Sequence, residues 1–375
     1  MKRLISILLL VAGITLSGQT SGITPVDKQI NNMLFAGRWE QSKSLIDQQI
    51  KKFPDHPKYY FIKAYMYYMA RFFSNTAPDR DSTINIVHYW SSRAIETGKK
   101  LQASKEVNFY LGCAYAYIAR AHAMRQEYWS AYWNAGDAEN YLEDVIEEDP
   151  EYYDAYFDLG VFEYFPDAVI TGFTSVLAWV GGMSGDREKG LEYMRLVSDK
   201  GSLFKSEADL ALGVIYNFFE NDQQTGLEYY DRVLQLHPEN NFADNQKQRV
   251  VFFQMLDDKG VDYFISNFDS LKVKYEINNA AYLNTIGYNL MGQERYDEAL
   301  KIFQLNLELY PEVANCYDSL AECFMNRNEN EQAIKYYRIA NEKLETDTTA
   351  TEDFKQRLRA GIQDRLEELQ ARISS

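Results

Sequence analysis

The feature that most constrains the fold of this chain is a repeat near its C-terminal end. Small, aromatic and proline residues stand at the offsets of a helix–turn–helix unit of about 34 residues, at Gly287, Tyr296, Ala299, Phe303 and Pro311. The next unit places Ala333 and Tyr337 where the first has Ala299 and Phe303. A helix pair of this size leaves one apolar face uncovered, so successive pairs are expected to stack.

Earlier segments of the chain follow the same pattern. Four prolines each end a stretch of helical apolar periodicity: Pro54, Pro150, Pro238 and Pro311. Small residues recur on the first helix of each pair, at Gly112, Gly160, Gly213 and Gly287, and on the second, at Ala138, Ala299 and Ala333. They let the facing helices approach closely. The sequence has no alternating runs typical of strands, which predicts an all-α fold.

This pattern resembles the tetratricopeptide repeat (TPR) family over about residues 26–345. The resemblance is strong in residues 280–345, moderate in 105–160 and 206–238, and weak in 57–101 and 242–276. It implies a TPR-like, right-handed solenoid of antiparallel helix pairs over residues 23–345. It also implies a non-enzymatic scaffold that binds a protein or peptide partner.

The chain departs from the family pattern between residues 57 and 276. Ala138 follows Gly112 by 26 positions, where the family has about 12, so we expect helices lengthened by several turns. An apolar insert at 165–186 holds 16 uncharged residues, 168–183. We expect it to pack as an extra helix; a docking surface for a protein and a dip into a membrane interface are the alternatives. Its candidate residues are Phe173, Leu177 and Trp179.

A single amphipathic helix is predicted for residues 351–373. Its apolar face consists of Phe354, Leu358, Ile362, Leu366, Leu369 and Ile373. Such a helix closes the end of a repeat stack, and we interpret it as a C-terminal cap. A coiled-coil seam is the alternative, but three heptads are marginal for one.

Residues 1–22 have the pattern of an export signal. A basic start at Lys2 and Arg3 precedes an uncharged apolar run of 13 residues, 4–16, and small residues follow it. The run is shorter than the roughly 20 residues that span a bilayer. We therefore expect cleavage after Gly18 or Gly22 and export to the periplasm or cell surface of a bacterium.

The formal net charge of −16 argues against general binding to nucleic acid or to anionic lipid headgroups. Apart from the signal peptide, no membrane contact is expected. Scattered arginines such as Arg71, Arg93, Arg120 and Arg125 are expected to be solvated or ion-paired. The three cysteines, Cys113, Cys316 and Cys323, are odd in number and are expected to be buried thiols.

Catalytic and metal-binding motifs are absent from the sequence. The four histidines, His56, His88, His122 and His237, have no metal-ligand spacing, and there is no P-loop, C-x-x-C or G-x-S-x-G motif. A glycine-rich stretch at 181–185 follows no predicted strand, so it does not indicate a dinucleotide site. We predict no enzyme activity, no metal and no cofactor.

Aromatic residues dominate the expected binding groove. In the TPR family the first helix of each pair lines the concave groove, and the resemblance places eight aromatic rings there: Phe61, Tyr65, Tyr68, Phe109, Tyr117, Phe157, Tyr164 and Phe165. Tyrosine offers a large rigid surface and a hydroxyl, which suits peptide contact. The alternative is that these rings fill the wider space between the lengthened helices.

Two further sets of residues bear on the ligand. Some family members hold a peptide C-terminal carboxylate with basic and amide side chains. The matching positions here are Asn284, Tyr288, Asp318 and Glu322, and two acids among them argue against that ligand. Separately, Trp129 and Trp133 stand four apart on one helix face. If exposed, they would favour a carbohydrate-binding or uptake accessory protein that stacks sugars on its rings.

Overall fold

The computed structural model describes residues 23–74, 77–169 and 185–374, and the regular structure in these ranges is helical. The chain divides into two compact units, unit 1 before Gln248 and unit 2 from Gln248 onward. The export signal at 1–22 lies outside the described residues, as do 170–184 of the insert with Phe173, Leu177 and Trp179. No described helix is long and apolar enough to cross a membrane.

Unit 1 consists of consecutive helices joined by short turns. They are α1 (Pro25–Phe35), α2 (Trp39–Lys52), α3 (Pro57–Phe73), α4 (Arg80–Gly98), α5 (Lys105–Met124), α6 (Tyr128–Glu148), α7 (Tyr156–Val169), α8 (Arg187–Lys200), α9 (Lys205–Phe218) and α10 (Gln223–Leu236). A short 3-10 turn, Tyr153–Ala155, precedes α7. Neighbouring helices pack in pairs, most extensively α3 with α4, α5 with α6, α7 with α8 and α9 with α10.

Unit 2 repeats the helix-pair arrangement more regularly. The helix α11 (Asn241–Ser266) runs into it, followed by α12 (Phe268–Lys274), α13 (Ala280–Gly292), α14 (Tyr296–Leu309), α15 (Ala314–Asn326), α16 (Asn330–Lys343) and α17 (Glu352–Ser374). Gly260, with a φ of 79°, interrupts α11. The pairs α13–α14 and α15–α16 correspond to the two repeat copies in residues 280–345.

The helix ends predicted from the prolines are confirmed. Each of the four prolines lies two positions after the last residue of a helix, namely α2, α6, α10 or α14. Side chains of Ser104, Asp186, Asp222 and Asn279 accept a hydrogen bond from the first turn of the helix that each precedes. Proline stops and polar caps therefore set where these helices begin and end.

Small residues bring the paired helices together as predicted. A Cβ atom on Gly112 would lie 2.6 Å from Cγ of Leu142, and one on Gly287 would overlap the ring of Phe303. The alanines on the second helices, Ala138, Ala299 and Ala333, are fully buried. The lengthening is also present, since α5 and α6 have 20 and 21 residues.

The two ends of unit 1 are in contact. The Asn31 side chain on α1 donates a hydrogen bond to the backbone oxygen of Leu203 at 3.1 Å. The Asn240 side chain donates to the backbone oxygen of Phe35 at 2.9 Å. The rings of Phe35 and His237 stack with centroids 4.8 Å apart. The succession of helix pairs in unit 1 therefore closes on itself.

Phe204 fills the centre of this closed arrangement. Its ring lies 5.8 Å from that of Tyr65 on α3, 6.1 Å from Phe109 on α5 and 5.2 Å from Phe157 on α7, measured between centroids. The buried Asp154 carboxylate holds the turn that carries Phe204, because its Oδ1 accepts backbone N–H groups of residues 202, 203 and 204 at 2.9–3.0 Å. The first helices of the pairs thus converge on one ring.

The C-terminal helix α17 packs on α16 as a cap. Ile362 and Leu369 are buried, and Leu358 and Leu366 are partly buried against the core of unit 2. Ile373 is 54% exposed, so the apolar face ends before it. The helix covers the last pair with its middle turns.

Candidate functional site

Most rings of the predicted N-terminal groove lie inside unit 1. Six of them are at most 2% exposed: Phe61, Tyr65, Phe109, Tyr117, Phe157 and Tyr164. The other two, Tyr68 and Phe165, are half-buried. The rings pack edge to face, as with Phe61 and Tyr117 at 5.3 Å between centroids. The six buried rings belong to the apolar interior of unit 1, and a partner would reach them only if the helices separated.

A charged cluster lies among these rings. The Arg120 guanidinium on α5 forms an ion pair with the buried Asp158 on α7 at 2.5 Å, and lies 4.4 Å from the centroid of the Tyr117 ring. The Tyr117 hydroxyl donates to Glu207 on α9 at 3.1 Å. Arg120 is thus ion-paired, one of the two roles expected for it. The sequence signal was a charged side chain between two alanines, Ala119 and Ala121.

Burial governs the ionisation of this cluster. It raises the pKa of Glu207 to about 7, while Arg120 opposes the rise. Burial also raises the pKa of the Cys113 thiol well above its ordinary value, which leaves a protonated and weakly nucleophilic sulfur. The three cysteines are free and buried. Within the described ranges, no group of three His, Cys, Asp or Glu side chains is placed to hold a metal ion.

An exposed aromatic face lies on the first turns of α6. Tyr128, Trp129 and Trp133 are 61%, 60% and 68% exposed. One turn beyond Trp133, the space around Gly136 is open, since a Cβ atom there would meet nothing within 4 Å. Rings exposed at helical spacing form an apolar patch on the surface. Such a patch is typical of a site that binds a partner or a ligand.

An open groove lies on unit 2, with a volume of about 460 Å³. Its lining residues come from α11, α13 and α15: Arg249, Ala281, Asn284, Thr285, Tyr288, Asn289 and Asn315. Asn284 is only 5% exposed. Its Oδ1 accepts a hydrogen bond from Asn306 at 2.8 Å, but its Nδ2 has no partner in the described part of the chain. That Nδ2 atom is itself buried, as is the Oδ1 of Asn306, which also has no partner in the described part of the chain.

An acidic pair adjoins this groove on α15. The hydroxyl of Tyr288, a lining residue, donates to Glu322 at 2.9 Å. Asp318 stands one turn before Glu322 on the same helix face. Burial raises the pKa of Asp318 to about 7; Glu322 adds to the rise and Arg365 opposes it. Both acids stand at positions of the carboxylate-binding pattern, but the sequence carries no signal for the open space beside them.

Comparison with known proteins gives only distant similarities. No protein-family model matches the chain, and no curated protein is similar to it in sequence. Among solved structures, yeast Tom70 is 14% identical, with 89% of this chain and 72% of that chain covered and a TM-score of 0.34. A human IFIT1 dimer with PPP-AAAA is 13% identical, with 81% and 68% covered and a TM-score of 0.35.

The TPR domain of P58(IPK) is 16% identical, with 92% of this chain and 99% of that chain covered and a TM-score of 0.24. Because these TM-scores are low, the helix-pair architecture rests on the packing of this chain's own helices. Three features of the described residues bear on function: the interior cluster of unit 1, the aromatic face of α6 and the groove of unit 2.

Proposed function

We propose that this protein is a non-enzymatic scaffold that holds an extended peptide segment of a protein partner in the groove of unit 2. The observation that carries the proposal is the open groove itself, about 460 Å³ in volume, whose lining combines amide and hydroxyl side chains with an exposed tyrosine ring. An extended peptide offers backbone donors and acceptors that pair with such side chains.

The other lining residues suit the same ligand. Thr285, Asn289 and Asn315 offer hydroxyl and amide groups, which pair with a peptide backbone regardless of its sequence. The Tyr288 ring, 38% exposed, adds an apolar surface. The aromatic groove predicted for the N-terminal half would require its buried rings to leave the core, so we place the peptide on unit 2.

The pattern of residues 1–22 supports a location in the periplasm or at the cell surface of a bacterium.

We expect Asn315→Ala to weaken peptide binding by about tenfold. The substitution removes a half-buried amide of the groove lining that can pair with a peptide backbone. Peptides selected from a random phage-displayed library on the wild-type protein would be synthesised, and their affinity measured by fluorescence polarisation. Asn278→Ala makes the same truncation at an exposed position outside the groove lining and should leave the affinity unaltered.

A second variant guards against misfolding of the first. Thr285 is exposed and lines the groove, so Thr285→Trp would fill the space without disturbing the core. We expect it to abolish binding while the thermal midpoint stays at the wild-type value. Undiminished affinity in both groove variants would rule out the groove as the peptide site.

The exposed rings of α6 favour a second candidate function, carbohydrate binding. Two tryptophans four residues apart are exposed, and sugar rings stack on aromatic faces through their C–H groups. We expect the double substitution Trp129→Ala with Trp133→Ala to remove binding of soluble oligosaccharides, measured by isothermal titration calorimetry. Tyr89→Ala, at another exposed ring of unit 1, is the matched control. If wild-type protein binds none of a broad oligosaccharide panel, this candidate fails.

A further inference from the structure

The residue that directly follows the proposed export signal is packed into unit 1. Ile23 precedes α1, is 8% exposed and belongs to the apolar core of the unit. The next residue, Thr24, caps α1, and both its N–H and its hydroxyl donate to Oδ2 of Asp27, at 2.7 and 2.9 Å. The backbone at Ile23 and Thr24 is therefore held against the Asp27 carboxylate.

Asp27 belongs to a cluster with an excess of negative charge. Its side chain is 1% exposed and pairs with the Lys58 ammonium group on α3 at 2.6 Å. Glu106 on α5 lies 3.6 Å from the same ammonium group. These three side chains, the Asp27 cluster, carry two negative charges and one positive charge. Because a charge without a partner is costly where water is excluded, a second cation beside Asp27 would stabilise the cluster.

One oxygen of this carboxylate lacks a hydrogen-bond donor. Oδ1 of Asp27 accepts no hydrogen bond within the described ranges, and it is buried from solvent. A donor for it must therefore come from the chain itself and not from a ligand in solution. The backbone nitrogen of Ile23 is close enough, because three covalent bonds separate it from the Thr24 nitrogen. The two nitrogens therefore lie within about 4 Å of each other.

We infer that the chain is cut between Gly22 and Ile23, and that the α-ammonium group freed at Ile23 is a counter-ion of the Asp27 cluster. In this hydrolysis by a signal peptidase, the C–N bond breaks and water supplies the oxygen of the new Gly22 carboxylate. The two protons of that water pass to the Ile23 nitrogen, which becomes an ammonium group. Cleavage after Gly18 would instead leave four residues between the new terminus and Ile23.

The first experiment identifies the N-terminus of the exported protein. The full chain would be expressed in a Gram-negative bacterium, and the periplasmic protein analysed by intact mass and by sequencing of its first residues. We expect a chain that starts at Ile23. A periplasmic chain that starts at Gln19 would overturn the inference while the proposed location stands. A chain that keeps Met1 and stays inside the cell would contradict both, and neither result bears on the peptide groove of unit 2.

The second experiment measures the pKa of the new terminal amine. An α-amine has a pKa near 8 in water, and beside two carboxylates we expect a pKa above about 9. The rate of acylation of Ile23 as a function of pH gives this pKa in the folded protein. Glu106→Gln removes the excess negative charge but leaves the pair of Asp27 and Lys58, so it should lower this pKa. Glu147→Gln, at an exposed site on α6, should not.

The third experiment connects the charge to stability. Protein that starts at Ile23 would be released from a cleavable fusion, and one portion acetylated at its α-amine while unfolded in urea near pH 6.5, where lysine side chains are protonated. At pH 7 the free amine should raise the thermal midpoint of the transition that unfolds unit 1 by about 3 °C or more. Because a raised pKa gives stability that is lost as pH rises through the folded value, the two forms should melt nearly together at pH 10.5.

The other groups beside the Asp27 cluster leave this pH dependence to the amine. Burial lowers the pKa of His56, so its ring is neutral at pH 7. Burial, together with the nearby Asp27 carboxylate, raises the pKa of Tyr59 and of Tyr110 above the ordinary value. The cluster itself is the same in both forms. Equal midpoints of the free and acetylated proteins at pH 7, or an α-amine pKa near 8 in the wild type, would overturn the inference.

Discussion

At the scale of single residues, Glu207 links the interior of unit 1 to pH. Its pKa is about 7 in the folded protein and near 4.5 when exposed. The folded state therefore holds a proton that the unfolded chain releases as pH rises from about 4.5 to 7. Linkage then requires that this contribution to stability is full below about 4.5 and is lost as pH rises through 7.

We expect Glu207→Gln to remove this loss. One pH unit of pKa difference corresponds to about 1.4 kcal/mol, so the variant should exceed the wild type in unfolding free energy by at most about 3 kcal/mol at pH 8. At pH 4.5 the two should be nearly equal. Urea unfolding at both pH values measures the difference. Glu147→Gln, at an exposed site, serves as control; equal stability of wild type and Glu207→Gln at pH 8 would contradict a buried ionised carboxyl.

At the scale of helices, the α5–α6 pair contains two glycines in opposite settings. A Cβ atom on Gly112 would collide with Leu142, whereas one on Gly136 would meet nothing within 4 Å. We expect Gly136→Ala to stabilise the protein by about 0.5–1 kcal/mol, because alanine favours the helix. Gly112→Ala should destabilise it, since overpacking costs about 1–3 kcal/mol. Chemical denaturation of the two variants measures the change in unfolding free energy for each. Stabilisation by both substitutions would contradict the close approach of Leu142 to Gly112.

Helix boundaries and pair contacts were predictable from the sequence because they depend on local chemistry. A proline that follows an apolar-periodic stretch marks the end of a helix, as Pro311 does, whereas Pro25 and Pro57 begin helices. A small residue such as Gly287 that faces a larger side chain indicates a closely packed pair. The apolar face of α17 was predicted correctly except at Ile373. Helical periodicity shows which residues share a face, but it does not show where the helix that they pack against ends. The exposure of Trp129 and Trp133 likewise depends on what covers them, which spacing does not reveal.

The closure of unit 1 could not be predicted in this way. It depends on contacts such as Asn31 with Leu203, which are 172 positions apart and carry no motif. Closure places Phe204 among the first helices and turns Tyr65 and Tyr117 from candidate ligand contacts into core. The acid pair beside the unit 2 groove was visible as two residues, but the groove itself arises only when α11, α13 and α15 come together.

At the scale of the whole molecule, the two units have separate apolar cores. Phe303 is fully buried in unit 2 and Phe204 in unit 1. We expect Phe303→Ala, at a cost of about 3–5 kcal/mol, to lower amide hydrogen-exchange protection in unit 2 and leave unit 1 unaltered. Phe204→Ala should do the reverse. Loss of protection in both units from either substitution would show that they unfold as one.

The contact between the ends of unit 1 also has a consequence for biosynthesis. The helix α1 leaves the ribosome before its partners at Leu203, His237 and Asn240, which emerge some 170–205 residues later. Contacts of such sequence separation slow folding, because a long loop must close before they form. Unit 1 therefore reaches its closed form only once the chain through Asn240 is available, whereas local pairs such as α3–α4 can form earlier.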